Sequence, residues 1–120
     1  MLFRSSMGCV VRNQGLAKPK TVRIPFWRQF KEPMLSGQKT WTSRTKKYGE
    51  VGDVFDAFGA TFELKEVTQM LLSVVAVDHF VEEGFESFLD FVDCWEKLHY
   101  RKGYVPEQKV WVHVFEKLEA

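Results

Sequence analysis

The sequence predicts a small mixed α+β domain, a barrel-like β fold with about two helices. Three observations carry this. Short stretches of strand character follow one another with turn residues between them, without the long helices of a βαβ chain. One segment, from Phe85 to Leu98, repeats its large apolar residues at three- and four-residue steps. The last stretch, Val110–Leu118, alternates as a half-buried strand does. At 120 residues the chain has the size of one domain and can bury a real core.

The elements are expected in the following order. Residues 1–20 read as a flexible basic leader and residues 21–120 as a single domain. A transit peptide fits the leader poorly, because Gly8, Asn13, Gly15 and Pro19 interrupt any amphipathic helix. Thr21–Ile24 reads as a first strand. Phe26, Trp27, Phe30 and Met34 recur at helical spacing, with Pro33 expected to end or kink that helix. Thr40–Arg44 reads as a strand, and Gly49 and Gly52-Asp53 as turns. Val54–Phe58 and Thr61–Val67 form a hairpin around Gly59-Ala60. Met70–Phe80, rich in valine, reads as a central strand. The amphipathic helix spans 87–99, and Gly103 and Pro106 separate it from a last strand with Val110, Val112 and Val114 on one face. Trp111, His113 and Phe115 take the other.

Charge is strongly polarised. Residues 1–48 hold eleven Lys and Arg against one acid, Glu32, whereas residues 49–120 hold six against fifteen acids. The net charge of +1 hides this division. A basic half suits an anionic or nucleic-acid partner, unless the two halves interleave and neutralise each other. No apolar run approaches a membrane span. Two cysteines, Cys9 and Cys94, make no disulfide framework, which fits a reducing cytoplasm. His79, His99 and His113 have no ligand spacing to one another or to a cysteine, so no metal and no cofactor is expected.

The densest motif is Gly37-Gln38-Lys39-Thr40-Trp41-Thr42-Ser43-Arg44, with a glycine, two cations and three hydroxyls in eight residues. Lys46, Lys47 and Tyr48 follow it. Arg44, Lys46 and Lys47 suit phosphate contacts, and Tyr48 suits stacking on a base. Trp41 is either core or a second stacking platform. Strand alternation sets Lys39 and Thr42 on opposite faces, so both reach one pocket only if Lys39 lies in the loop before the strand or a bulge intervenes.

This motif, with Phe30 before it and Gly52-Asp53, Glu82-Glu83-Gly84-Phe85 and the final aromatic strand after it, resembles the ASCH domain family. The resemblance covers roughly residues 24–118. It rests most on Gly37, Lys39, Thr42 and Arg44, which fill a G-x-K-x-x-T-x-R pattern. It implies a PUA-like β-barrel and one of two functions. One is binding of RNA or of a nucleoside or nucleotide in a basic pocket. The other is an amidohydrolase that removes the acetyl group from the exocyclic amine of acetylcytidine. For the second, the resemblance assigns catalytic roles to Lys39, Thr42 and a glutamate, matched by Glu83 with Glu82 as its rival. Gly37, Trp41, Arg44, Lys46, Lys47 and Tyr48 then complete the ligand site.

Overall fold

Four strands and three α-helices make up the computed structural model, which describes residues 19–118. In chain order they are α1 (Lys31–Ser36), β1 (Trp41–Arg44), β2 (Val54–Ala57), β3 (Ala60–Leu71), α2 (Leu72–Asp78), α3 (Phe88–Leu98) and β4 (Lys109–Lys117). The strands form one antiparallel sheet in the order β1-β4-β3-β2, curled as a half-barrel. The class is the mixed α+β expected, with fewer strands and one more helix than the sequence suggested.

The hairpin between β2 and β3 closes on Phe58-Gly59, one residue before the expected turn. Both residues take positive φ, 54° and 81°, as a two-residue loop with the twist of its strands requires. β3 then runs for twelve residues. Its pairing with β4 shifts register between Leu64 and Glu66, a bulge at Lys65 that bends the strand. Both sheet faces are covered. His113 and Phe115 point to one face, where Phe55, Phe62, Leu64, Ile24 and Met34 pack. Val110 and Val112 point to the other, beneath Leu72, Val75 and Ala76 of α2 and Phe91 and Trp95 of α3.

Three expectations are corrected. Met70–Phe80 is not one strand: β3 ends at Leu71 and the chain turns into α2. The valines favour a strand, but Leu72, Val75 and Ala76 recur at helical spacing and all three are buried. Packing therefore overrides propensity. The loop before β4 caps the helix start, with Leu72 N–H donating to Gln108 O and Ser73 N–H to Pro106 O. Thr21–Ile24 forms a single parallel bridge, Thr21 with Val54, instead of a strand. Pro33 does not end its helix. It is the third residue of α1, within the first turn, where an N–H has no intrahelical acceptor to lose. The helix stops at Gly37, whose φ of 86° is a left-handed cap. The leader expected over 1–20 falls almost wholly outside the described residues.

α3 is the helix the periodicity predicts. Ser87 caps it by accepting from Asp90 N–H at 3.1 Å. Its Phe91, Cys94 and Trp95 are buried, and they share a cavity with residues of β1.

Candidate functional site

β1 is an edge strand, and its free edge opens on a cavity of about 250 Å3. Aromatic side chains supply flat walls: Phe26 and Phe30 from before β1, Phe85, and Phe91 and Trp95 from α3. Lys39, Thr42, Ser43, Arg44 and Glu83 supply its polar side. Because the cavity lies at the edge of the strand, the residues of both sheet faces reach it. Thr42 and Ser43, which point opposite ways along β1, therefore both line it.

The Glu82-Glu83 segment is pinned alongside β1 by its own backbone. Thr40 and Trp41 both donate their N–H to Glu82 O, at 2.9 and 3.0 Å. The Glu83 carboxylate is thereby fixed against the strand and is almost fully buried. Its Oε2 accepts from Ser43 Oγ at 2.6 Å, the separation of a hydroxyl on a carboxylate. Its Oε1 stands 3.6 Å from Lys39 Nζ. Glu82 points elsewhere, with Oε1 3.6 Å from His79 Nδ1.

Lys39 lies in the loop between Gly37 and β1, the arrangement that frees it from strand alternation. Its N–H donates to Pro33 O at 2.8 Å, and its ammonium sits 4.6 Å from the centre of the Phe30 ring. Nζ donates to Trp41 O and to Glu83 O, each at 2.7 Å. Burial pushes the pKa of this ammonium down from its ordinary value. The Glu83 charge opposes that shift, and Arg44 adds to it. Gly84 makes this packing possible. Its φ is +97°, and a Cβ there would stand 3.0 Å from Lys39 Cβ and 3.2 Å from Cγ and Cδ.

Arg44 spans the other side. Its Nε donates to Thr42 Oγ1 at 3.1 Å, and its terminal nitrogen donates to Pro25 O. The guanidinium lies over the Phe26 and Tyr48 rings, 4.8 and 5.4 Å from their centres. Desolvation by burial lowers its pKa. Beneath it His113 is fully buried. Nε2 accepts from Tyr48 N–H at 3.0 Å, so the ring proton is on Nδ1 and is donated to Thr42 O at 3.2 Å. Burial lowers the His113 pKa, consistent with this neutral ring.

Of the residues singled out in the sequence, Lys39, Thr42, Arg44, Tyr48 and Glu83 meet at the cavity. The remaining four do not line it. Gly37 serves as the helix cap. Trp41 is not part of the cavity lining and stacks on His79 at 4.2 Å. Lys46 lies over Tyr48, while Lys47 pairs with Glu50 at 2.7 Å and lies over Trp111. Lys39 and Thr42 also make no hydrogen bond to each other: Lys39 is spent on carbonyls and Glu83, and Thr42 on Arg44. Ser43 and Gly84 were missed. Ser43 stood in the motif, but alternation from Thr42 pointed it away from any pocket on that face. For Gly84 the signal was a glycine directly after the paired glutamates. Cys94, at the cavity wall, is held as a thiol by burial. Among the described residues no group of three or more His, Cys, Asp or Glu can hold a metal ion. No helix among them is long and apolar enough to cross a membrane.

Solved structures share this architecture. An ASCH domain from Lactobacillus crispatus JV V101 superposes with a TM-score of 0.67 at 11% identity, over 83% of this chain and 79% of that one. The chain has the ASCH fold. An ASCH protein from Zymomonas mobilis matches with a TM-score of 0.57 at 13% identity, over 80% of this chain and 66% of that one. A protein from Enterococcus faecalis V583 matches at 0.61 and 15% identity, over 88% and 78%. No protein-family model and no curated protein matches the sequence. At such low identities the likeness concerns the ASCH fold itself.

Proposed function

We propose that the cavity binds a single nucleobase, presented by a free nucleoside or nucleotide or by an RNA strand. The observation that carries this is the pairing of flat aromatic walls with one polar side. Phe26, Phe30, Phe91 and Trp95 give a heterocycle surfaces to stack on, and Ser43, Glu83 and Thr42 give its edge hydrogen-bonding partners. A volume of about 250 Å3 suits a base with part of its sugar better than a longer ligand. Lys46, beside the cavity over Tyr48, is placed to meet a phosphate.

Hydrolysis of an acyl group from the exocyclic amine of a modified cytidine is the second reading. A buried carboxylate beside a buried ammonium favours it, because a plain binding pocket has no need of a charged pair that costs desolvation.

Titration of the full chain with the four ribonucleoside monophosphates, followed by tryptophan fluorescence, tests the binding. Saturable quenching that is reduced in Trp95→Phe, and lost when Trp27 is replaced by phenylalanine as well, is expected. No response up to millimolar ligand overturns it.

A further inference from the structure

The geometry points to Ser43 as the nucleophile of an acyl-transfer site, with Glu83 as its base and a heterocyclic amide or ester as the substrate class. This inference rests on the nucleobase reading of the cavity, since the acyl group would be carried by the base seated there.

A hydroxyl attacks a carbonyl only when a base stands ready for its proton. Thr42, Ser43, Thr45 and Tyr48 bring hydroxyls to the cavity, and of these only Ser43 is hydrogen-bonded to a carboxylate. Thr42 Oγ1 accepts from Arg44 Nε at 3.1 Å and meets no base. Ser43 Oγ donates to Glu83 Oε2 at 2.6 Å. Lys39 is unsuited to be that base. Two of its protons go to Trp41 O and Glu83 O, and the remaining side of the nitrogen faces the Glu83 carboxylate at 3.6 Å. A lone pair there would meet a carboxylate oxygen, whereas a third N–H is attracted to it. Lys39 is accordingly a positioning residue that holds Glu83 in place. Thr42 remains useful in another way. With Arg44 donating to its oxygen, its own proton is left to donate into the cavity, where an oxyanion would form.

In the reaction, Ser43 Oγ bonds to the acyl carbon while its proton passes to Glu83 Oε2. The carbonyl electron pair moves onto oxygen, facing the Thr42 hydroxyl. Collapse of the tetrahedral species breaks the bond to the amine, which takes the proton from Glu83 as it leaves. Water then attacks the Ser43 ester and gives its proton to Glu83. The Ser43 oxygen departs and recovers that proton, releasing the carboxylic acid.

The probe is p-nitrophenyl acetate, which needs no seated base, with the full chain quenched in acid and mapped by mass spectrometry. One acetyl group on Ser43 is expected, with a burst of nitrophenolate. Ser43→Ala and Glu83→Gln should lose it, and Ser43→Cys should carry it on sulfur. Ser43→Thr, which keeps a hydroxyl on Glu83, guards against loss through misfolding. Thr42→Ala should still be acetylated, slowed on the order of a hundredfold. Acetyl on Thr42 or Lys39, or undiminished labelling of the site in Ser43→Ala, overturns the assignment. An unlabelled wild type that binds nucleotides overturns this inference alone, and one that does neither overturns the binding function as well.

Discussion

Gly84→Ala tests how the site is held together. The glycine has a φ of +97°, a region where a Cβ costs about 1–2 kcal/mol. Its new methyl would also press on the Lys39 stem at 3.0–3.2 Å. That stem is fixed at both ends, by Pro33 O at its backbone and by two carbonyls 2.7 Å from Nζ. It can yield only by lengthening hydrogen bonds to a charged donor, worth about 1.5–3 kcal/mol each. The expected total is about 2.5–5 kcal/mol. Gly52→Ala separates the two contributions. Gly52 has a φ of +95° and nothing within 4 Å of the position of its Cβ, so it should show the backbone cost alone. Urea unfolding of both variants, with equal m-values, gives the difference directly. Gly84→Ala should lose at least about 1.5 kcal/mol more than Gly52→Ala, the cost of one such bond. Equal losses would refute the view that Gly84 exists to make room for Lys39.

Trp95→Ala should cost about 3–5 kcal/mol, because the ring is 4% exposed and anchors α3 to the sheet; thermal or urea melts would read it. His113 has a pKa below its unfolded value of about 6.5, so the unfolded chain binds the proton first. Its contribution is complete above about pH 6.5 and is lost as pH falls through the lowered folded value. Stability measured from neutral to acid pH should show a component that His113→Gln, which can still donate and accept, removes. If the domain binds RNA, affinity should fall with salt, and joint replacement of Lys46 and Lys47 by alanine should flatten that dependence; an unchanged slope would exclude both as phosphate contacts.

Local pattern revealed most where one element settles its own structure. The α3 periodicity, the β2–β3 hairpin and the alternation of β4 depend on neighbours in sequence, and all three were legible. The α2 helix was not, because a run from Met70 to Phe80 is apolar at both periods and only the sheet beneath Leu72, Val75 and Ala76 decides between them. In the site, Lys39 and Thr42 were visible as a motif, and Glu83 only through the resemblance. Ser43 was hidden by a sound rule applied to the wrong geometry. Alternation assigns residues to faces, but this cavity lies at a strand edge, and the partner that defines Ser43 is forty residues away in sequence.

An amide-resolved NMR titration with cytidine monophosphate tests the central claim most directly. The nucleobase account predicts saturable shifts at Ser43, Glu83, Phe91 and Trp95, which surround the cavity on strand, loop and helix. It also predicts that Ser43→Ala weakens binding. Shifts confined to the Lys46–Lys47 edge, with the cavity residues unmoved, would contradict it.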